Sequence, residues 1–481
     1  MFKNLFFSIA ILSLATIYSC SVYNQTRTTE IELPPEYVLP DSIAQNINDT
    51  LIPWNEFFRD TVLVRLISNA FENNFDIQTA NKEIAINEKL HEQSKLAYLP
   101  SVNLGLLSIK KEWHSRYSRY TPEDEVYEAR NKEIPKDLYL NESIYNSGVA
   151  LDWEVDIWGK FRNQKKEAQA LYLQSYEMRK AIQTEVVATI AEDYYTLLTL
   201  DEQLEVAKEN RVFRDNTLQM IQLQYDAGEV SALAVHQARS QVLEAEALIP
   251  KLERQRAIQE NNLRLLTGEL PKYIEIKAKL PALEAAYKEI EGLPLYLVQN
   301  RPDVVMAKYR LQAANARVGV TQVERYPNLT ISLSGGLDSQ LGKNWFKVPG
   351  SLFGEFFGGL TAPIFNNKKL KTNFEIAKLK REEAEINFQR NVYSAVVDIQ
   401  NTLVSLDKRE EELRVAILQQ EVARKSLQSA QMLFRSGFAT YLEVITAQSD
   451  ALDKELSLVQ ARTNLLMERI QLYRALGGGW R

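Results

Sequence analysis

The sequence predicts a mixed α and β fold, written twice in one chain, in which very long helices alternate with short strands suited to a membrane. Three observations predict it. Residues 160–227 and 364–436 each run without a single Gly or Pro. The two runs align at one constant offset of 209 residues, without a gap from 159 to 268. Ala168 meets Ala377, Val187 meets Val396, Leu218 meets Leu427, Gly228 meets Gly437 and Gly268 meets Gly477. So long a register marks an internal duplication. Four further segments alternate apolar and polar residues with the period of a strand. Read as helix at about 1.5 Å per residue, each unbroken run spans roughly 100 Å, whereas a mean globular helix has about 11–12 residues.

From the N-terminus, Met1-Phe-Lys-Asn carries one positive charge, and Leu5 to Ile17 is an apolar core of 13 residues. That is too short to span a bilayer as a helix and reads as a secretion signal over 1–19. Cys20 is the only cysteine and follows Ser19, as in a bacterial lipobox, where the cysteine becomes the first mature residue and is acylated. One cysteine excludes an internal disulfide. Ser21 in place of an Asp favours an outer-membrane destination. Residues 20–58 are then expected to be a lipid-anchored extended segment. The 57 basic and 63 acidic residues are interspersed, for a net charge of −6, which leaves no basic footprint for nucleic acid. No window reaches the roughly 18 apolar residues of a spanning helix, so a mature chain that crosses lipid must do so with strands.

Each copy reads helix, β-hairpin, very long helix, turn, return helix. The first repeat occupies 59–268, an equatorial linker 269–292, and the second repeat with a short C-terminal end 293–481. The helix before each hairpin aligns at an offset of 227, with Leu66 on Leu293, Asn73 on Asn300, Asp76 on Asp303 and Pro100 on Pro327. The first hairpin is therefore 18 residues longer, and the surplus reads as an exposed loop over 114–140.

The alternating segments are 102–106, 149–157, 329–334 and 352–364. One face is apolar and the other small or acidic, which suits either a transmembrane barrel or a half-buried soluble sheet. Four strands cannot close a barrel, and open edges are not tolerated in lipid. Two chains give eight strands, whose interior side chains fill. Three give twelve, the smallest number here that leaves an aqueous lumen, so a pore requires a homotrimer. Asp152, Glu154 and Asp156 fall at period two and are expected on one strand face rather than as an acid–base pair.

In the first long helix Leu197, Leu200, Leu204, Ala207, Leu218, Ile221 and Tyr225 form an apolar stripe with a polar break at Arg211. Such a narrow seam packs in a coiled-coil manner, as it also would in a periplasmic scaffold. Both long helices end at the same kind of turn. Gly228 and Gly437 are expected as left-handed C-caps, and Ser231 and Thr440 as N-caps of the return helices 231–266 and 440–476. These return helices are much shorter than the outgoing ones, which leaves room for a belt filled by 271–300 and the C-terminus. Three histidines (His91, His114, His236) lie far apart. Gly335-Gly336 and Gly358-Gly359 fall in strand segments, not in a phosphate loop. No catalytic, metal or cofactor site is expected.

Arg301-Pro302-Asp303-Val304, Leu311-Gln-Ala-Ala-Asn315-Ala, Tyr326-Pro327-Asn-Leu-Thr, Trp54-Asn-Glu-Phe-Phe58, Asp156-Ile-Trp-Gly159-Lys and the two Gly-containing tips together resemble the TolC-type outer-membrane efflux ducts. The resemblance is particularly to the lipoprotein branch serving resistance-nodulation-division pumps. The resemblance implies a trimeric twelve-stranded barrel in the outer membrane, continued by an α-helical barrel into the periplasm. It implies docking to a periplasmic adaptor and an inner-membrane transporter, and passive exit of small molecules such as drugs. It also implies tips that close like an iris. Glu443 falls where some members carry an acidic ring residue and Thr446 where many carry Asp. Phe434, Ala439 and Ala234 stand where one member uses a polar lock, so closure here is expected to rely on packing, with Glu443 alone as a cation-attracting ring. A type I protein-secretion duct and a non-pore scaffold or adaptor are the alternatives. Pro or a bulky β-branched residue at Gly437 is expected to harm tip closure or docking.

Overall fold

The computed structural model of the chain describes residues 53–58, 60–115, 139–274, 279–281 and 296–479. The signal over 1–19, Cys20, most of the anchor segment and of the linker, and the centre of the 114–140 loop lie outside the described residues.

The duplication recurs in the order of the elements and in the lengths of the longer helices. In the first repeat α1 (Trp54–Phe57) and α2 (Thr61–Asn73) lead to α3 (Phe75–Leu96), β1 (Ser101–Ser115), β2 (Tyr139–Val155), α4 (Lys160–Asp226) and α5 (Ala232–Leu266). In the second, α6 (Tyr296–Asn300) leads to α7 (Pro302–Val323), β3 (Asn328–Ser339), β4 (Leu352–Thr361), α8 (Lys369–Arg435) and α9 (Tyr441–Ala475). α4 and α8 have 67 residues each, α5 and α9 have 35 each, and α3 and α7 have 22 each.

Four element ends differ from the sequence expectation. The strands reach Ser115 and resume at Tyr139, so both ends of the 114–140 surplus are strand rather than loop. β2 stops at Val155, and Asp156 lies beyond it as the cap of α4. Its carboxylate accepts the backbone N–H of Phe161 at 3.0 Å and of Arg162 at 3.1 Å. Only Asp152 and Glu154 therefore share a strand face. The second long helix starts at Lys369, not 364. Asn367 and Lys368 hold left-handed backbone, with φ of 53° and 63°, and this turn breaks the helix that the Gly- and Pro-free run suggests.

The chain divides into two compact units that cut across the repeats. One contains the described residues 89–169 and 312–382, with all four strands. The other contains 53–88, 170–311 and 383–479, wholly helical. In the helical unit one core joins Leu63, Leu66, Ile67 and Ala70 of α2 to Val187, Ile190, Tyr194 and Leu197 of α4, Leu263 of α5 and Ile470 of α9. A second core joins Val392, Ala395, Ile399 and Leu403 of α8 to Leu465 and Leu472 of α9. Burying each such aliphatic side chain contributes about 1.5–3 kcal/mol. The space at the end of the shorter return helix is taken by α2, which the sequence reading did not assign to it. The Asn74 side-chain amide donates to the Leu266 carbonyl at 2.9 Å. A Cβ on Gly268 would meet the Asn73 carbonyl oxygen at 2.3 Å. Ile274 of the predicted belt segment does join this core.

Candidate membrane sheet and helical tip turns

The strands form one antiparallel sheet in the order β1-β2-β3-β4. Paired residues across an antiparallel sheet share a face, so the register sorts the side chains. Val102, Leu151, Leu333 and Phe356 lie in one row, with Leu329 and Leu360 beside Val155 four positions on. The opposite face carries the row Asn103, Ala150, Ser334, Glu355 and the row Ser101, Asp152, Ser332, Phe357. Asp152 accepts a hydrogen bond from the Ser332 hydroxyl at 2.7 Å. The apolar face has no cover among the described residues: Val102 is 63% exposed and Phe356 71%. Strands of 15, 17, 12 and 10 residues meet the roughly 9–11 that a tilted membrane strand requires. β1 and β4 are each paired on one side only among the described residues. A sheet with an uncovered apolar face and two open edges is complete only when lipid covers the face and further strands pair the edges.

In the helical unit the tip turns form as expected. Gly228 and Gly437 have φ of 79° and 75°, and a Cβ on either would meet nothing within 4 Å. Glycine is needed there for its backbone freedom, not for space. Both turns are Schellman motifs. Glu229 N–H donates to the Gln224 carbonyl and Phe438 N–H to the Leu433 carbonyl, each at 2.9 Å.

The two N-caps differ. Ser231 occupies the N-cap of α5, but its hydroxyl makes no capping bond. Thr440 caps α9 through Glu443, whose carboxylate accepts both the Thr440 backbone N–H and the Thr440 hydroxyl, each at 2.5 Å. With the Thr440 side chain on the Glu443 backbone N–H, this is a capping box. The same Thr440 donors hold the Glu443 carboxyl below the usual carboxylate range. Its contribution to the turn is therefore present above the ordinary glutamate pKa and lost only as pH falls through the lowered one. The Thr446 hydroxyl bonds the Leu442 carbonyl at 2.8 Å within its own helix.

The two hairpins meet through packing at the tips. Ile221, Ala234, Ala238, Phe434 and Val444 form one buried cluster, with Ala439 and Tyr441 against it. The Tyr441 hydroxyl donates to Gln237 Oε1 at 2.6 Å.

A buried polar layer, absent from the sequence reading, lies on the same hairpins. Arg214, on α4, is 5% exposed and donates to the Gln241 carbonyl at 2.8 Å and to the Ser449 hydroxyl at 3.4 Å. The Gln448 amide donates to the buried Thr217 hydroxyl at 2.6 Å. Burial pushes the Arg214 guanidinium below its ordinary pKa, though arginine stays charged. The polar break of the α4 seam is thus Arg214, not Arg211, which is exposed and paired with Glu246 at 2.9 Å. The signal was present: Arg214 lies seven residues from both Ala207 and Ile221 on the predicted stripe.

The Arg301-Pro302-Asp303 motif borders a cavity of about 390 Å³ that Glu185, Asp398 and Arg474 also line. Arg301 donates to the Ala475 carbonyl at 2.7 Å and to both Asp303 oxygens at 3.1 and 2.9 Å. It thereby ties the start of α7 to the end of α9. Arg301→Ala is expected to cost about 1–3 kcal/mol, because it leaves the buried Ala475 carbonyl without its partner, while Asp303, half-exposed, keeps the Val304 N–H at 2.9 Å. Arg301→Lys, which keeps charge but not the fork, recovers less than half. Chemical denaturation of the two variants checks this.

A family model described as "Outer membrane efflux protein" matches residues 66–269 and 293–478. SilC of Salmonella typhimurium, described as a probable outer membrane lipoprotein, is 25% identical over 98% of this chain and 99% of its own. SrpC of Pseudomonas putida, a solvent efflux pump outer membrane protein, is 27% identical over 88% of this chain and 87% of its own. Among solved structures, the open state of the MtrE outer membrane channel of Neisseria gonorrhoeae superposes with a TM-score of 0.80 at 21% identity. That superposition covers 96% of this chain and 99% of MtrE.

Proposed function

This chain belongs to the outer membrane efflux protein family, and from that premise we propose that three copies pool their sheets into a twelve-stranded barrel that serves as the passive exit duct of a tripartite pump. The observation that carries the reading is the sheet: four strands, one uncovered apolar face and two open edges. Twelve strands leave a water-filled lumen, lined by the Asn103, Asp152, Ser334 and Glu355 face. The lumen lowers the barrier for polar and amphiphilic solutes. Drive comes from an inner-membrane transporter of the resistance-nodulation-division class, coupled through a periplasmic adaptor at the tips. Acylation of Cys20 would anchor each mature chain in the outer membrane.

Purified protein in planar bilayers is expected to give unitary conductance steps, and cross-linking to give a trimer. A monomer without conductance overturns the proposal. Deletion of the gene is expected to sensitise cells to dyes and detergents; loss of a secreted protein instead would favour the protein-export alternative.

We place the periplasmic gate at the turns that contain Gly228, Ser231, Gly437, Thr440, Glu443 and Thr446. Glu443 has two candidate roles, the helix cap and a ring of negative charge around the opening. Glutamine also serves in a capping box, so Glu443→Gln keeps the cap and removes the charge. A ring predicts that Glu443→Gln lowers cation selectivity as much as Glu443→Ala does. A cap alone predicts that only Glu443→Ala changes the channel. Reversal potentials in a salt gradient separate the two.

A further inference from the structure

The two places where a strand gives way to a long helix are copies at the 209-residue offset, and they differ in charge. At the first, both oxygens of Glu154 hold Lys160 Nζ at 2.9 Å, and Asp156 caps α4. At the second, Pro363 stands in the place of Glu154 and Phe365 in the place of Asp156. The cations remain, with Lys369 for Lys160 and Lys371 for Arg162, and Lys368 replaces Gly159. Lys368 keeps the left-handed backbone of that glycine, with φ of 63° against 82°, a conformation that L side chains rarely adopt.

These charges are not balanced locally. Among the described residues Lys368 and Lys369 make no ion pair, and Lys371 reaches only Glu375, at 3.9 Å with both side chains exposed. Arg325 and Lys378 add two cations over the Phe374 ring, at 5.0 and 4.6 Å. Just before the lysines, Ile364 is 98% exposed and Phe365 83%. Apolar side chains so bare, next to a cluster of cations, match the boundary between acyl chains and headgroups in an anionic membrane.

We propose that this junction is a docking surface for anionic phospholipid, with Lys368, Lys369 and Lys371 on the headgroup phosphates and Ile364 and Phe365 in the acyl boundary. The proposal rests on the reading that the sheet spans the bilayer: β4 ends at Thr361, three residues before Ile364, so the junction emerges at the interface. A free phosphate ion would satisfy the lysines but leave the apolar pair in water.

The test is native mass spectrometry of the full-length assembly in mild detergent, titrated with phosphatidylglycerol or phosphatidylcholine. The wild type is expected to retain phosphatidylglycerol at least fivefold better. The K368Q/K369Q/K371Q variant should lose that preference while circular dichroism and oligomeric state stay unchanged. I364S/F365S should weaken retention of both lipids, and excess inorganic phosphate should not displace them. K160Q, at the internally neutralised junction, should behave as wild type. An unchanged preference in the lysine variant overturns the proposal, as does equal loss in K160Q or displacement by phosphate. So does disassembly of I364S/F365S with lipid retention intact, which would mean that another copy covers the patch. Lipid retention is read without conductance, so a conducting channel with no lipid preference sinks this inference alone, and a non-conducting one that keeps the preference sinks the duct alone.

Discussion

Gly336→Val is expected to abolish assembly of the membrane sheet, leaving no heat-resistant oligomer in the outer-membrane fraction. β2 and β3 belong to different repeats, and their pairing is what joins the two hairpins into one sheet. The pairing runs through Gly148 opposite Gly336 and Val149 opposite Gly335. A Cβ on Gly336 would fall 2.1 Å from the Ser147 carbonyl oxygen and 2.4 Å from Gly148 Cα. A Cβ on Gly148 would fall 2.6 Å from the Gly335 carbonyl oxygen. Those neighbours are backbone, held by the ladder on both sides, and no rotamer change relieves the overlap. The strands would have to separate, and in lipid each backbone group so freed costs several kcal/mol. Even Gly336→Ala should be severe. Gly354, in β4, is the control: a Cβ there meets nothing within 4 Å, so Gly354→Ala should assemble normally. Outer-membrane yield and gel mobility with and without heating check both. Normal assembly of Gly336→Val would mean that β2 and β3 do not pair in this register.

What the sequence disclosed and what it withheld follow from the range of the interactions. The duplication, the two 67-residue helices and the tip turns rest on local chemistry: absence of Gly and Pro, three- and four-residue apolar spacing, and a glycine free to take positive φ. These were readable. The strand ends were not. Lys110-Lys111-Glu112 in β1 pairs with Glu142-Ser143-Ile144 in β2, where polar residues occupy both faces and the period-two signal vanishes. Asp156 was read as a continuation of the strand because it keeps the alternation of Asp152 and Glu154. Only the fold shows that it accepts two helix N–H groups instead. Ser231 and Thr440 differ by a signal the sequence does carry: Glu443 stands three residues after Thr440, a capping-box pattern, where Ala234 stands after Ser231. That Arg214 enters the seam was legible in its seven-residue spacing from Ala207 and Ile221; that its partner is Ser449, 235 residues away, was not.

That arginine carries the second large expectation. Arg214→Ala is expected to raise resting conductance by roughly 30-fold, the equivalent of about 2 kcal/mol, without dissociating the assembly. The reasoning turns on what each partner keeps when the guanidinium is removed. Ser449 retains a bond to Gln241 Oε1 at 3.3 Å, and Glu244, 3.6 Å away, is exposed and solvated. No charge is orphaned, so the cost is one charge-assisted bond plus a cavity, not the larger penalty of a broken buried pair. What the variant loses is one of two polar ties in this layer between α4 and the second hairpin, the Arg214–Ser449 bond that also links to Gln241 on α5; the Gln448–Thr217 bond at 2.6 Å remains. The apolar tip cluster adds little resistance to sliding, because apolar contacts are not directional. Arg214→Met separates the two contributions. It restores the buried volume but not the hydrogen bonds, so thermal stability should recover while the conductance remains high. Gln448→Leu should do little by comparison, for Thr217 keeps its bond to the Phe213 carbonyl at 3.1 Å. Wild-type conductance in Arg214→Met would show that packing alone holds the hairpins together, and that the polar layer does not restrain the gate.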